Sequence, residues 1–373
     1  MTADNNNQRP AQIACRAGIP GRRGTGIKHS QWKASRKPIF MAPPLRGSQA
    51  FTLLEMLVAF VVLAILVVLI ATMVDSTTKA TRRPMEQAQT FQQARVAFEL
   101  LTRRLSQATL NTYWDYDNPN NPTKYLRQSE LHFVIGKTAP LLGTPPLETP
   151  TFAAFFQAPL GKGNDSSLRS LSSLLNNCGF FIKFGSDKAN IPDVFPASFA
   201  PKEKWRFRLF QWVQASKDMQ TLQPFTGTAT DRDWFRTPLA ENPDSLRPIA
   251  ENIVALIFHP RLSAKEDPEG DDLTTDFNYD SRLGPTSKLT YNQLPPSVDI
   301  IMVAIDEQSA ARLAEQNGSS PPDLKLTGLF TAVTPTALSN NLEAMEEELK
   351  KLKLNYRIFR TTVKIPAAKW SGY

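Results

Sequence analysis

The sequence predicts an α+β protein in which one long N-terminal helix is followed by an antiparallel β-sheet domain. Three observations support this fold class. An uncharged apolar run covers 56–74, an amphipathic helical pattern continues beyond it, and short strand patterns with proline-rich connections fill the rest of the chain. The chain has 373 residues, which is enough for a sizeable core.

The excess positive charge is confined to the N-terminal segment. The formal net charge is +8, from 43 Lys and Arg residues against 35 Asp and Glu residues. Residues 1–50 contain nine of the basic residues and one acidic residue, Asp4, so the remainder of the chain is balanced. A nucleic-acid-binding protein would place its basic residues on the folded domain. We therefore predict no nucleic-acid partner.

A membrane-spanning helix is predicted from Met56 to Val74. These 19 residues carry no charge, and as a helix they extend about 28 Å, close to the hydrocarbon thickness of a bilayer. A secretory signal has a shorter apolar region and a small-residue cleavage site, whereas Asp75 follows here. A buried core helix is rarely apolar on every side over this length. Because basic residues concentrate in 1–50, the positive-inside rule places the N-terminus in the cytoplasm and 75–373 outside.

The helix is predicted to continue outside the membrane as an amphipathic segment. Apolar residues recur there with alternating spacings of three and four, which places them on one helical face. The residues of this stripe are Phe91, Ala94, Phe98, Leu101, Leu105 and Ala108. We expect the stripe to pack on the sheet of the same chain. We also expect Pro84 to kink or briefly break the helix at the membrane exit.

Beyond this helix the patterns predict a turn-rich loop at 115–123, then strands and two short helices. Strands are expected at 130–136, 151–157, 179–184, 205–213, 252–258, 298–305 and 356–365. Helices are expected at 306–315 and 342–352. The strict alternation from Trp205 to Leu209 predicts an antiparallel strand with one solvated face, which carries Arg206 and Arg208.

Glu55 stands at the edge of the apolar run. On position alone it either marks the membrane boundary or has a functional role, because an unpaired carboxylate is costly there. The residues around it favour function. The segment Phe51-Thr52-Leu53-Leu54-Glu55, followed by an apolar helix, resembles the class III signal of type IV pilins and type II secretion pseudopilins.

The resemblance implies a processing site and an assembly residue. A prepilin peptidase would cut between Ala50 and Phe51 and methylate the new N-terminus at Phe51. Glu55 would pair with the N-terminal amine of a neighbouring subunit, since opposite charges in a low dielectric satisfy each other and favour one axial register. Ala50 stands where the family almost always has glycine. Translation from Met41 rather than Met1 would shorten the leader to ten residues.

Three sequence segments in the second half of the chain support a narrower resemblance. They look similar to the pilin-like Verru_Chthon cassette protein C family, and more distantly to J-type minor pseudopilins of type II secretion. The segments are Glu251 to Leu256, Pro295 to Asp306 with Ala310 to Leu313, and Asn355 to Val363 with Lys369 and Trp370. The resemblance implies a pilin-like fold in which an enlarged antiparallel sheet carries the outer half of the N-terminal helix.

The resemblance also implies a domain organisation and a function. Residues 1–50 would be a cytoplasmic leader that is removed, 51–74 would span the inner membrane, 75–112 would extend the helix, and 113–373 would form a periplasmic α+β domain. The protein would be a non-enzymatic minor pilin or pseudopilin in a short type II secretion or type IV pilus-like fibre. Its large soluble domain would fit the tip of such a fibre better than its repeating shaft. Its partners would be the prepilin peptidase and other pilin-like subunits.

A competing interpretation is a single-pass membrane protein whose external domain binds a ligand or a surface glycan. In that case the pilin-like signal would serve mainly for targeting. Retention of the leader 1–50 in the purified protein would favour this alternative.

The residues point to no enzyme and no cofactor. The chain has three histidines and none of the common nucleophile, metalloprotease or nucleotide-binding motifs. We expect His132 and His259 to be strand residues with satisfied hydrogen bonds. We expect Cys178 to be a small buried apolar residue rather than a nucleophile.

One acidic loop has a spacing that is typical of a calcium site. Asp276, Asn278 and Asp280 follow the oxygen spacing at the start of an EF-hand loop. However, Ser281 replaces the turn glycine and Ser287 stands where the last glutamate would be. We therefore favour a solvated loop and predict no metal site. If calcium does bind, these three residues are the candidate ligands.

Overall fold

The computed structural model describes residues 52–369 apart from several short segments. The residues left out within that range are 119, 148, 164–170, 189–201, 220–231, 243–244, 263–266, 268–272, 275, 284–289 and 334–335, together with the side chains of 79–88. The predicted leader, Ala50 and Phe51 therefore lie outside the described residues.

The described residues form five α-helices, a short 3-10 helix (Ser216–Asp218) and eleven strands. The helices are α1 (Leu53–Leu105), α2 (Thr138–Leu142), α3 (Asp233–Glu241), α4 (Glu307–Asn317) and α5 (Ala337–Lys351). The strands are β1 (Tyr113–Tyr116), β2 (Tyr125–Gln128), β3 (Val134–Lys137), β4 (Phe152–Pro159), β5 (Leu175–Ser186), β6 (Trp205–Gln214), β7 (Leu246–Glu251), β8 (Ile253–Arg261), β9 (Tyr279–Asp280), β10 (Ser297–Ile305) and β11 (Tyr356–Lys364). The predicted α+β fold, with one long N-terminal helix and an antiparallel sheet domain, is confirmed.

The first part of α1 is apolar and exposed on every side. The stretch Leu53–Thr78 is long and apolar enough to cross a membrane, and none of it is buried within the protein. Its large apolar side chains are between 49% and 84% exposed. Such a surface is unfavourable in water and matches the hydrocarbon of a bilayer. This stretch contains the predicted span Met56 to Val74 and fits a single-pass membrane anchor.

The helical backbone of α1 is continuous over its 53 residues. The break expected at Pro84 does not occur. A proline removes one backbone donor, and the cooperative hydrogen bonds of a long helix hold the backbone on both sides of it.

The outer part of α1 packs on the sheet domain through the predicted stripe. From Ala94 to Ala108 its members, together with Ala97, are at most 8% exposed, whereas Val96 on the opposite side is 61% exposed. The ring of Phe98 lies 5.8 Å from the ring of Phe359 in β11. Phe91, at the membrane end of the stripe, is only partly buried. The burial of the amphipathic stripe is thus confirmed.

The strands form three antiparallel sheets. The largest has the order β7-β6-β5-β4-β3-β9, a second has the order β11-β10-β8, and β1 pairs with β2 alone. An isolated parallel bridge between Thr151 and Leu256 links the start of β4 to β8.

Strand β4 is buried on both faces. Alternate residues point to opposite faces of a strand. Phe152, Ala154 and Phe156 join the large core shared with α1 and the three-stranded sheet. Ala153 and Phe155 join a second core on the other face. This double burial explains why the sequence of β4 reads as a continuous apolar run.

Asn252 is the residue at which the chain passes from the larger sheet to the smaller one. Its φ is +62°, a left-handed conformation that Asn adopts more readily than most residues. Its amide donates to the carbonyl of Phe207 (2.8 Å), and its carbonyl accepts from the amide of Ile305 (2.9 Å). Its Nδ2 donates to Oε2 of Glu307 (2.8 Å). One residue therefore bonds to a strand of each sheet.

All seven predicted strands and both predicted helices are present, with shifted ends. The largest shift is in α5, which begins at Ala337 rather than at 342, and β3 begins at Val134 rather than at 130. Strands β1, β2, β7 and β9 and helices α2 and α3 were not predicted, and Asp115 and Tyr116 belong to β1 rather than to a loop. Strand β7 contains Pro248, which usually argues against a strand and is tolerated because β7 is a sheet edge.

The prediction of a solvated face on β6 is wrong. Arg206 and Arg208 are 5% and 2% exposed. The Arg206 guanidinium lies 3.1 Å from Glu307, and Nε of Arg208 lies 2.9 Å from Oε1 of Glu251. Arg208 also donates to the carbonyl of Gly185 (2.8 Å). The alternating pattern correctly assigned Arg206 and Arg208 to one face of β6. That face is buried because acidic residues distant in sequence cover it.

Gly179 in β5 allows a close approach by Phe155. A Cβ at this position would lie 2.4 Å from two ring atoms of Phe155, whose ring stacks on Phe235 with centroids 4.1 Å apart. We expect Gly179→Ala to lower the free energy of unfolding by roughly 1–3 kcal/mol, because the buried ring cannot move away freely. Chemical denaturation of the full chain in detergent, followed by tryptophan fluorescence, measures this.

Gly185→Ala is the matched control in the same strand, since no atom lies within 4 Å of its added Cβ. We expect this change to stay within about 0.5 kcal/mol of the wild type. Equal losses from the two substitutions would contradict the packing argument.

Candidate functional site

Helix α1 begins with a reciprocal pair of hydrogen bonds between Thr52 and Glu55. Thr52 precedes the first helical residue, and its Oγ1 accepts from the amide of Glu55 (3.2 Å). Oε2 of Glu55 in turn accepts from the amide (3.1 Å) and the hydroxyl (3.2 Å) of Thr52. This arrangement is a capping box, which satisfies backbone donors that the first helical turn leaves without partners.

The capping box engages only one oxygen of the Glu55 carboxylate. Oε2 receives the bonds from Thr52, whereas Oε1 has no hydrogen-bond partner among the described residues. A carboxylate in the first turn is also stabilised by the partial positive charge of the helix N-terminus. The site therefore fixes the position of a carboxylate at the membrane edge and leaves one oxygen open to a cationic partner.

Thr52 is the site residue that the sequence analysis did not single out. The signal was available, since Thr followed three residues later by Glu before an apolar run is the signature of a capping box. The structure thus adds Thr52 to Glu55. It does not place the predicted cut between Ala50 and Phe51, which lies outside the described residues.

The calcium candidate is not assembled as a ligand set in the described residues. Oδ2 of Asp276 accepts from Nδ2 of Asn278 (2.6 Å). Oδ1 of Asp280 contacts His132 and accepts from the amide of Arg282 (2.9 Å). No group of three or more His, Cys, Asp or Glu residues that could hold a metal ion occurs among the residues described.

His132 is a buried structural residue. Its Nδ1 accepts from Nε1 of Trp234 (3.0 Å), so its Nε2 carries the hydrogen that is donated to Asp280 (2.7 Å). Burial opposes ionisation of Asp280, but His132, the Arg282 amide and Arg232 together outweigh it and hold the pKa of Asp280 below its ordinary value. Both ring nitrogens are satisfied, as expected, although His132 precedes β3 rather than lying within it. His259 is buried in β8.

Cys178 is fully buried in β5. Burial raises the pKa of its thiol to about 12 and outweighs the opposite effects of Arg104 and Lys162. Since the thiolate is the nucleophilic form, Cys178 is not a nucleophile near neutral pH. The prediction of a small buried apolar residue is confirmed.

An apolar cleft of about 440 Å³ lies beside α2, β5 and α3. It is lined by Phe181, Phe184 and Leu239 among others, and its described lining contains no His, Cys, Asp or Glu. Its arginine, Arg236, donates to the carbonyls of Leu141 (2.6 Å) and Pro140 (2.8 Å). Lys183 is the other ionisable side chain in its described lining. The cleft therefore pairs an apolar shape with two cations. The absence of enzymatic activity remains a prediction.

The two-stranded sheet of β1 and β2 carries an exposed aromatic face, formed by Trp114, Tyr116 and Tyr125. The rings of Tyr116 and Tyr125 stack with centroids 4.7 Å apart, and their hydroxyl groups are 3.0 Å apart. The guanidinium of Arg127 lies 5.7 Å from the centre of the Trp114 ring. These three aromatic side chains are between 43% and 59% exposed. Exposed aromatic groups held in place in this way are typical of an interaction surface.

Comparison with protein families finds a match at the start of α1. Residues 45–71 match the family described as prokaryotic N-terminal methylation motif. The match covers the predicted cut site, Glu55 and most of the apolar stretch, and it supports a type IV pilin-like signal that is processed by prepilin peptidase. No curated protein and no solved structure matches the chain. The narrower resemblance to the Verru_Chthon cassette protein C family stays a prediction.

The capping box can be tested at Thr52. We expect Thr52→Ala to increase local opening of the first helical turn about fivefold, equivalent to roughly 1 kcal/mol, because the Glu55 amide loses its acceptor. Amide hydrogen exchange at Glu55, measured in lipid nanodiscs, reports this opening.

Two variants control this experiment. Thr52→Ser keeps the hydroxyl and should exchange like the wild type. Thr72→Ala removes a threonine whose Oγ1 bonds to the carbonyl of Leu69 (2.8 Å) within the helix, and it should leave exchange at Glu55 unchanged. Wild-type exchange in Thr52→Ala would rule out the capping box.

Proposed function

We propose that this chain is a non-enzymatic minor pilin or pseudopilin. It is cut between Ala50 and Phe51, methylated at Phe51 and assembled through α1 into a short fibre of the type II secretion or type IV pilus kind. The start of α1 carries this proposal. There, a methylation-motif match at 45–71 coincides with an exposed apolar helix and with Glu55 held in the first turn.

The geometry of Glu55 supports its role in assembly. After cleavage, the amine of Phe51 is a cation at the end of an apolar helix. Oε1 of Glu55 can accept from the amine of a neighbouring subunit while Oε2 keeps the local helix start intact. Pairing compensates the cost of desolvating both charges, which favours one axial register between subunits. The exposed apolar surface of α1 allows neighbouring helices to pack side by side.

The proposed location follows from the charge distribution. The basic segment 1–50 keeps the N-terminus in the cytoplasm, where the prepilin peptidase acts, and α1 spans the inner membrane once. The domain that begins at 113 then lies in the periplasm. Its partners are the peptidase and other pilin-like subunits.

The size of the soluble domain supports a position at the fibre tip. The domain contains sheets of six and three strands in addition to the β1–β2 pair. A bulky domain fits the end of a fibre more easily than a repeating shaft, in which every subunit must pack against several copies. We further propose that the domain is not enzymatic, since His132 and Cys178 are buried in structural roles.

The aromatic face of β1 and β2 favours a second candidate function, recognition of an external ligand such as a surface glycan. Trp and Tyr side chains combine an apolar ring with a polar group and suit ligands that have both kinds of surface. This function is compatible with a fibre tip, and it would replace assembly as the main role if the leader 1–50 were retained in the mature protein.

Mass spectrometry of the mature N-terminus tests the proposal. We expect a chain that begins at Phe51 and carries one additional methyl group when the protein is made in cells with prepilin peptidase. The same cells without the peptidase provide the control and should retain the leader. A mature chain that still begins at Met1 or Met41 in the presence of the peptidase would overturn the proposal.

The assembly role of Glu55 is separable from its capping role. Glutamine also completes a capping box, so Glu55→Gln keeps the helix start and removes only the charge. We expect Glu55→Gln to lower the amount of co-purified pilin-like subunits at least about tenfold, because it leaves the partner's amine unpaired.

Thr52→Ala is the converse control, since it weakens the cap and keeps the carboxylate, and it should retain co-purification. Amide exchange at Glu55 reports the state of the helix start in both variants. It should match the wild type in Glu55→Gln and be faster in Thr52→Ala. Undiminished co-purification of Glu55→Gln would contradict the assembly role.

A further inference from the structure

We infer that a basic cavity beside the end of α1 binds a compact oxyanion, that is, a single carboxylate, phosphate or sulfate group. The cavity has a volume of about 210 Å³ and is lined by Arg104, Lys162 and Arg247 together with Gln211 and Ser245. No acidic residue occurs in its described lining. Like charges that line one cavity with no acidic residue between them repel one another, so this arrangement favours an anion.

Three separate elements bring the cations together. Arg104 is in the last turn of α1, and Lys162 follows β4. Arg247 is in β7, where it is the register partner of Gln211 in β6. The cavity therefore lies at the edge of the six-stranded sheet, on the side covered by α1.

The three cations have few partners of their own. Nζ of Lys162 donates to the carbonyl of Val213 (2.7 Å), which fixes its position without neutralising its charge. Arg104 makes one long bond from Nη1 to Gln107 (3.4 Å), and its buried Nε has no partner among the described residues. No ion pair within the described part of the chain includes Arg104, Lys162 or Arg247.

The electrostatics of Lys162 agree with this arrangement. Burial lowers the pKa of Lys162, and the charge of Arg247 lowers it further. Asp218 acts in the opposite direction without reversing the shift. A bound anion would therefore stabilise the charged form of Lys162.

Size and position restrict the ligand. The cavity is smaller than the roughly 300–1,000 Å³ of sites for drug-sized ligands, and it accommodates one anionic group rather than a polymer. Arg104 follows Val74 by 30 residues, about 45 Å of helical rise. Lipid headgroups at the end of the predicted span are therefore out of reach. The anion comes from solution or from a protein carboxylate.

Thermal unfolding of the full chain in a non-ionic detergent tests the site. At constant ionic strength, replacing chloride by sulfate, inorganic phosphate or acetate should raise the Tm saturably by roughly 2–5 °C. A larger effect of sulfate or phosphate indicates a free tetrahedral anion, and a larger effect of acetate indicates a carboxylate. The absence of any saturable effect beyond chloride would overturn the inference.

Arg247→Ala is the informative variant, because this side chain is exposed and its loss should not prevent folding. We expect it to weaken anion affinity about tenfold or more, as charge-assisted hydrogen bonds are lost. Lys364→Ala removes another exposed cation, from β11, and should leave the affinity unchanged. An identical anion response in Arg247→Ala and the wild type would refute the site.

Asp165 and Asp244 lie outside the described residues and close in sequence to Lys162 and Ser245. Their replacement by Asn tests whether the chain supplies its own anion to the cavity. An unchanged response to sulfate in both variants supports the inference. If sulfate raises the Tm only after one of these substitutions, the chain's own carboxylate occupies the cavity, and the inference would be contradicted.

Discussion

One continuous helix, α1, has to satisfy two different environments, and the rest of the structure depends on how its surface changes along its length. Up to Thr78 its apolar side chains are exposed on all sides, a surface that is stable only where water is excluded. From Ala94 onwards the apolar residues narrow to one stripe, and Val96 on the other side is exposed. The sheet domain is built on that stripe. The same backbone therefore provides both the membrane anchor and one wall of the soluble core.

The start of this helix shows how one side chain can serve two purposes. Glu55 uses Oε2 to complete the capping box with Thr52 and leaves Oε1 without a described partner. Local stability and recognition of a neighbouring subunit consequently do not compete for the same oxygen atom. In the proposed fibre, a carboxylate that is already oriented would lose little side-chain entropy when it meets the amine. The methylation-motif match at 45–71 includes Thr52 and Glu55, the two residues that form the capping box.

The soluble domain contains buried charges that are paired with carboxylates and partly buried charges that have no described carboxylate partner. Arg206 and Arg208 are almost completely buried, and acidic partners from other elements lie about 3 Å away. Such pairs are costly to desolvate, and they restrict the ways in which the elements can pack. Arg104 and Lys162 differ, because no described carboxylate lies within ion-pair distance of either. This difference is why the basic cavity, rather than the ion pairs, is the place where an external anion is expected.

The sequence by itself determined the membrane helix, the amphipathic stripe and the seven strands with strong apolar or alternating patterns, because these depend on periodicity within one segment. It also determined the position of Glu55 relative to the apolar run. Only the tertiary structure decided the burial of Arg206 and Arg208, the edge strand that contains Pro248, and the passage between sheets at Asn252. These features arise from residues that are far apart in the chain. A local pattern can assign a residue to a face of a strand, but the partners that cover that face are known only once the chain has folded.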